Sequence, residues 1–222
     1  MNAHEWKEEL LNAMLNADRP AAAAVIDRLI AEGVPAERII VDILDQALVG
    51  IGELWERESA SLAQGFVAAK IAEDVLLRCL PAMGAAARHG SPVVLGNIEN
   101  DFHSLGRRIV GTFLTAAGWE VYDLGNDVLA EHFVDKALEV RAVVIGVSAM
   151  MQTNALNIRK VRELIDARGL QDRLKLAVGG AVFNWRPDLV AEVGADGTAR
   201  NAAGANALLR RLQAAAKGEP PP

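Results

Sequence analysis

Apolar residues recur at intervals of three and four through the first part of the chain, which is the spacing of one face of an α-helix. The stripes are Trp6, Leu10 and Met14, then Val25 and Leu29, then Ile39, Ile43, Ala47, Ile51 and Leu54, and then Val67, Ile71 and Val75. Helix-breaking residues separate these stripes at 18–20, 33–35 and 58–61. Residues 1–88 are therefore predicted to form a compact antiparallel bundle of four helices.

Beyond this part, short apolar runs alternate with amphipathic stretches. The predicted strands cover 93–98, 120–123, 142–147, 174–178 and 195–199, and helices are predicted from about 106, 130 and 155, near 185–193 and at the end of the chain. Strict alternation implies a parallel sheet with right-handed crossovers and helices on both faces. Residues 89–222 are therefore predicted to form a Rossmann or flavodoxin-like, doubly wound α/β domain with five parallel strands, which the linker Arg88–Pro92 joins to the bundle.

A ligand site in such a sheet lies at the carboxyl ends of the strands, so the loops after Ile98, Val147 and Val178 are the places to look for chemistry. The first of these loops holds Asp101 two residues before His103. A carboxylate at this spacing can accept a hydrogen bond from one ring N–H and leave the other ring nitrogen to bind a metal. The alternative is a helix N-cap next to a surface histidine.

Charge and composition exclude several classes of function. The formal net charge of −6 lies entirely in residues 1–90, and no basic run is present, which argues against direct binding of nucleic acid. Cys79 is the only cysteine, so neither an intramolecular disulfide nor a cysteine zinc site is expected. The sequence carries no signal peptide pattern or membrane span, and a cytoplasmic location is expected.

The segment Asp101-x-His103-x-x-Gly106 resembles the cobalamin-binding signature of methionine synthase-type corrinoid proteins. Further segments resemble parts of the same family in the same order. They are 52–56 in the helical cap domain, 118–125 around the second strand, 146–153 as the Ser-x-Leu segment, 178–181 as the Gly-Gly segment, and 194–197 as the late Gly-Ala-Asp turn. The resemblance therefore covers nearly the whole chain.

The resemblance implies a cobalamin whose benzimidazole tail leaves the cobalt and runs into the sheet, while His103 binds the metal from below. The cofactor would be methylcobalamin or another corrinoid. The residues placed around it are Asp101, Phe102, His103, Ser104, Leu105, Gly106, Ser148, Met150, Thr153, Gly179, Gly180, Ala181, Asp196 and Trp55. Ser148 would bind the tail base, Thr153 would face the corrin edge, and the tail would lie on the backbone of Gly179 and Gly180. A tight turn remains the alternative for the two glycines, and bundle core the alternative for Trp55.

The sequence departs from the family pattern at several positions. Asn100 stands where the family has glycine, Phe102 where it has valine or isoleucine, and Met150 where it has leucine. In the cap, B12-dependent light sensors carry Glu-His nine residues after the tryptophan, whereas Gly65 and Phe66 follow Trp55 at that distance. This difference disfavours a photoreceptor.

Two functions remain open. The first is a corrinoid protein that shuttles methyl groups between donor-side and acceptor-side methyltransferases and has no turnover alone, because no acid, base or nucleophile set is present. The methyl donors of such systems include methylamines, methanol and aryl methyl ethers. The second is a B12-dependent, possibly light-responsive regulator that acts through protein partners.

Overall fold

The structure is a computed structural model that describes residues 3–57, 59–83 and 91–218, apart from the side chains of residues 3, 52, 55, 56, 62, 66, 80, 83 and 203. The chain divides into two compact units, Met1–Gly84 and Ala85–Pro222. The predicted linker Arg88–Pro92 falls largely on residues outside the described part of the chain, so the boundary predicted between 88 and 89 stays a prediction.

The first unit consists of four helical regions, as the apolar stripes predict. These are α1 (Ala3–Leu15), α2 (Arg19–Ala31), a third region made of α3 (Ala36–Arg38), a π-helix (Ile39–Leu44) and α4 (Asp45–Glu56), and finally α5 (Leu62–Cys79) with a 3-10 turn (Leu80–Met83). Asp18 caps α2, because its side chain accepts the backbone N–H of Ala21 at 2.9 Å. Most of the striped residues, among them Leu10, Met14 and Ile71, are buried in the core of this unit, whereas Leu54 and Val67 are half-buried.

The second unit contains five strands and the remaining helices. They are β1 (Pro92–Asn97), α6 (Ser104–Ala116), β2 (Glu120–Asp123), α7 (Ala130–Glu139), β3 (Val144–Ser148), α8 (Gln152–Ala155), a 3-10 turn (Leu156–Ile158), α9 (Arg159–Ala167), β4 (Lys175–Gly179), α10 (Ala181–Trp185), α11 (Leu189–Glu192), β5 (Gly197–Thr198) and α12 (Ala202–Lys217). The helix predicted near 185–193 is two short helices, because Pro187 interrupts the backbone hydrogen bonding between them.

All five strands are parallel, in the order β2-β1-β3-β4-β5. This confirms the predicted doubly wound sheet. The strand order is flavodoxin-like: β2 is added on one side of β1 and the later strands on the other side, so the reversal point of the strand order lies between β1 and β3. Phe133 of α7 and Ile165 of α9 pack on one face of the sheet, and Leu114 of α6 and Leu208 of α12 pack on the other. The register aligns Asn97, Ser148 and Gly179 across three strands at the carboxyl edge.

In the described part of the chain, no helix is both long enough and apolar enough to cross a bilayer.

Candidate functional site

The loop after β1 is built around the fully buried carboxylate of Asp101. Its Oδ1 accepts the side-chain amide of Asn97 at 3.0 Å and the backbone N–H of His103 at 2.8 Å. Its Oδ2 accepts the backbone N–H of Met150 at 2.6 Å, across the loop that follows β3. A buried carboxylate needs such donors, because without them burial of its charge costs several kcal/mol. Asp101 therefore joins the two loops that flank the reversal point of the sheet.

His103 stands at the N-cap position of α6, and its side chain is 58% exposed. Its Nδ1 lies 3.2 Å from Oδ1 of Asp101. Because the carboxylate accepts, Nδ1 carries the proton in this contact and Nε2 keeps a lone pair. In the described part of the chain Nε2 makes no hydrogen bond, so this nitrogen can bind a metal. Asp101 is not the helix cap that the alternative interpretation expected, since His103 occupies that position.

Two further residues at the site, Asn97 and Arg107, were missed from the sequence. Asn97 is fully buried at the end of β1, and its amide donates to Asp101 at 3.0 Å and to the carbonyl of His103 at 3.1 Å. Its Oδ1 accepts Nε of Arg107 at 2.6 Å. The only sequence signal was an asparagine at the end of an otherwise apolar strand, where a buried amide needs partners.

Arg107 lies on α6, and only 7% of it is exposed. Its guanidinium pairs with Asp123 at the end of β2 and donates to Asn126 at 3.1 Å. Burial lowers the pKa of the Arg107 guanidinium, and the charge of neighbouring Arg108 adds a smaller effect in the same direction. A guanidinium remains charged even so, which leaves a cation two hydrogen bonds from the carboxylate of Asp101.

Asn100 occupies a position where the family pattern has glycine. Its φ is +65°, in the left-handed region that asparagine tolerates better than most residues. Its backbone N–H donates to Asp127 at 2.7 Å, and its carbonyl accepts the side-chain amide of Asn154 at 3.0 Å. The substitution of glycine by asparagine therefore fits the turn, which supports Asp101 and His103 from outside.

The loop after β3 brings Ser148, Met150 and Thr153 to the same edge as His103. Ser148 ends β3, and its carbonyl accepts the backbone N–H of Ile98 at 3.1 Å, next to the loop of Asp101. Met150 is bound to Asp101 through its backbone, and its side chain is exposed, as is that of Thr153 on α8. These side chains face solvent at the carboxyl edge and are free to meet a ligand.

Gly179, which ends β4, and Gly180, which follows it, differ in whether the fold leaves space for a side chain. Gly180 has a φ of 111° and a ψ of 163°, a conformation almost limited to glycine, and an added Cβ would lie 2.0 Å from the carbonyl oxygen of Ala149. Gly179 does not have a positive φ, and an added Cβ would meet nothing within 4 Å. Gly180 is thus required by the protein fold, whereas the surface over Gly179 is open to another molecule.

The remaining predicted residues are placed as follows. Phe102 is 65% exposed beside His103, although a phenyl ring is usually buried. Ser104, Leu105 and Gly106 form the first turn of α6, and Ala181 begins α10. They share the carboxyl edge with His103.

Asp196 is not brought together with the others. Its carboxylate accepts the backbone N–H of Leu176 at 2.6 Å, near the start of β4, and pairs with Arg162 at 3.4 Å. Its contact with the cofactor therefore stays a prediction, and so does that of Trp55, whose side chain lies outside the described residues. Cys79 is buried and is a core residue of the first unit.

The donor set fits a cofactor-bound metal better than a metal held by protein side chains alone. Among the described residues, no three or more His, Cys, Asp or Glu side chains group to hold a metal ion. A single free imidazole nitrogen, oriented by a carboxylate, is suited to one axial position of a metal whose other ligands come from elsewhere. The surface over Gly179 is open, and Gly179 is in register with Ser148.

Comparison with known proteins gives matches over nearly the whole chain. A family model described as a B12 binding domain matches residues 91–207, and a second model with the same description matches residues 6–79. Dimethylamine corrinoid protein 2 of Methanosarcina mazei is 37% identical over 213 residues, which cover 94% of this chain and 97% of that protein. The dimethylamine corrinoid protein of Methanosarcina barkeri is 35% identical over 218 residues, which cover 96% of this chain and 100% of that protein.

A solved structure agrees with these matches. The monomethylamine corrinoid protein of Methanosarcina barkeri superposes with a TM-score of 0.81 at 28% identity, over 93% of this chain and 98% of that one.

Proposed function

The chain belongs to the B12-binding family, and from this membership we propose that it is a corrinoid protein that carries methyl groups between partner methyltransferases. The observation that carries the proposal is the free Nε2 of His103, held at the reversal point of the sheet by a buried carboxylate. When bound, the corrinoid supplies a cobalt ion that accepts and releases the methyl group. The residues of this chain bind and orient that cofactor.

His103 would hold the cobalt of a bound corrinoid through Nε2. The contact between Nδ1 and Asp101 fixes the ring and leaves Nε2 as the donor. Asp101 also pulls on the proton of Nδ1, which leaves more electron density on the imidazole ring and makes Nε2 a stronger donor. The carboxylate itself is held by donors from β1, α6 and the loop after β3, so the ring is oriented before the cofactor arrives.

The cofactor's nucleotide tail is proposed to lie over Gly179, with Ser148 beside it. Support comes from the empty space around the position of a Gly179 Cβ and from the register that aligns Ser148 with Gly179. Phe102, Met150 and Thr153 are proposed to contact the corrin ring, because they are exposed at the edge that carries His103.

A methylamine is the proposed methyl donor. The relatives that match most of the chain include dimethylamine corrinoid proteins at 35% to 37% identity and a trimethylamine corrinoid protein at 32% identity. One partner is then a methyltransferase that takes the methyl group from the amine, and another passes it to an acceptor. We also propose that the protein acts in the cytoplasm, where such amine metabolism and a strongly reducing environment are available.

The proposal is tested on nitrogen-15-labelled protein loaded with unlabelled hydroxocobalamin and reduced to the Co(II) state. Electron paramagnetic resonance then identifies the lower ligand, because nitrogen-15 of a protein histidine splits each cobalt line into a doublet and nitrogen-14 of the benzimidazole splits it into a triplet. A doublet is expected, and it should be absent in His103→Ala. Transfer of labelled methyl from dimethylamine in the presence of a cognate methyltransferase is expected as well.

Failure to retain cobalamin, or a triplet in the wild-type protein, would overturn the proposed ligand. Failure to transfer methyl from dimethylamine, trimethylamine or monomethylamine would overturn the proposed donor. A change of oligomeric state on illumination with adenosylcobalamin, without any methyl transfer, would support a regulator instead.

A further inference from the structure

We propose that Asn97 and Arg107 are positioning residues for His103, and that Arg107 acts on the histidine through the amide of Asn97. The inference rests on the proposed role of His103 as a cobalt ligand. It concerns two side chains that need not touch the cofactor. Together with Asp101 they form one buried path of hydrogen bonds from the Arg107 guanidinium to the imidazole of His103.

The amide of Asn97 is the centre of this path. Both of its protons are used, one toward Oδ1 of Asp101 at 3.0 Å and one toward the carbonyl oxygen of His103 at 3.1 Å. One buried side chain therefore fixes the carboxylate that holds the imidazole and also the backbone from which the imidazole projects. A rotation of this amide would release both contacts together.

Arg107 prevents that rotation. Its Nε can only donate, so the oxygen of the Asn97 amide must face it at 2.6 Å and the nitrogen must face Asp101. The guanidinium is itself held from the other side by its ion pair with Asp123. The orientation of Asn97 is therefore dictated by a cation that is anchored to the end of β2.

The path also transmits charge. A cation at the amide oxygen polarises the amide and strengthens its N–H donors. Stronger donation to Asp101 stabilises its carboxylate in the orientation that meets Nδ1 of His103. Loss of Arg107 is expected to free the amide, loosen the carboxylate and let the imidazole leave the position from which Nε2 points to the site.

The test uses Asn97→Leu, Arg107→Met and the double variant, with Asn126→Ala as the matched control. Asn126→Ala removes a contact of the Arg107 guanidinium but leaves the bond from Nε to Asn97. Each nitrogen-15-labelled protein is loaded with cobalamin, and the Co(II) doublet gives the ratio of histidine-coordinated to uncoordinated cofactor. The proton resonance of Nδ1–H in the cofactor-free protein provides a second readout.

Asn97→Leu and Arg107→Met are each expected to lower that ratio about 10-fold and to weaken or shift the Nδ1–H resonance, whereas Asn126→Ala should match the wild type. Because Arg107 acts through Asn97, Arg107→Met should add nothing in the Asn97→Leu background. If Arg107→Met does not fold, Arg107→Lys takes its place, since it keeps the charge but has no Nε donor in the same position.

Effects that add in the double variant would overturn the path, because they would make the two residues independent supports of the fold. A full doublet in both single variants would overturn the inference and leave the proposed role of His103 intact. Absence of a doublet in the wild-type protein would instead overturn the proposed role of His103 on which the inference rests.

Discussion

Asp101 binds His103 at two points, accepting its backbone N–H at 2.8 Å and lying 3.2 Å from its ring Nδ1. The two contacts fix both the start of the side chain and its far end. Since the carboxylate is completely buried and the imidazole is mostly exposed, the pair connects the interior of the domain to its surface.

Replacing the buried carboxylate should destabilise the cofactor-free protein. In Asp101→Asn an NH2 group replaces one oxygen, so at least one of the N–H donors from Asn97, His103 and Met150 loses its acceptor. The free energy of unfolding, measured in urea, is expected to fall by about 1.5 to 3 kcal/mol.

The control for this variant is Asp127→Asn. Asp127 is an exposed carboxylate that accepts the backbone N–H of Asn100, so the loss should stay below about 1 kcal/mol. Equal losses in the two variants would contradict the importance of burial at Asp101.

Gly179, at the end of β4, and Gly180, directly after it, should respond differently to substitution by alanine. Gly180→Ala forces a side chain into a conformation reserved for glycine and against the carbonyl of Ala149, so the free energy of unfolding should fall by roughly 2 kcal/mol or more. Gly179→Ala meets no protein atom, so the fold should keep its stability within about 0.5 kcal/mol.

The same pair separates fold from cofactor binding. Gly179→Ala is expected to lower the affinity for cobalamin, measured by equilibrium dialysis, because its methyl group takes the space proposed for the nucleotide tail. Unchanged affinity in Gly179→Ala would show that the tail lies elsewhere.

Phe102 should contribute to cobalamin binding but very little to the stability of the fold. Its ring is 65% exposed, so Phe102→Ser should change the free energy of unfolding of the cofactor-free protein by less than about 0.5 kcal/mol. Cobalamin affinity should fall, because the ring beside His103 would lose its contact with the corrin. Leu129→Ser, at another exposed apolar residue, is the control and should bind normally. Equal affinity in the two variants would remove Phe102 from the site.

Stability at high pH should depend on Cys79. Burial raises the pKa of this thiol from its usual 9.0 to about 11, and the negative charge of Glu37 adds to the shift. The folded protein therefore favours the protonated thiol, and the unfolded chain releases the proton first. The stabilisation is complete below pH 9 and is lost between pH 9 and about 11.

The measurement is urea unfolding of the wild type and of Cys79→Ala from pH 8 upward. The wild type should lose about 2 to 3 kcal/mol more than the variant over the titration of the thiol. Parallel curves would show that the thiol is not shielded from water.

Local patterns in the sequence were sufficient to predict the four helical regions, the five parallel strands and the loop that carries Asp101 and His103. Helical periodicity, short apolar runs and a two-residue spacing are short-range features, and each is readable within one segment. The departure at Asn100 was also visible, although its tolerance became clear only from its φ of +65°.

Contacts between distant segments were decided by the tertiary structure alone. Asn97 meets Arg107 because the end of β1 and the first turns of α6 converge, and Met150 reaches Asp101 because β1 and β3 are neighbours in the sheet. The same packing makes the two neighbouring glycines different. At Gly180 the backbone of Ala149 leaves no space for a side chain, whereas Gly179 faces open space. Such pairings depend on strand order and register, which arise when apolar faces pack together, and no single stretch of sequence encodes them.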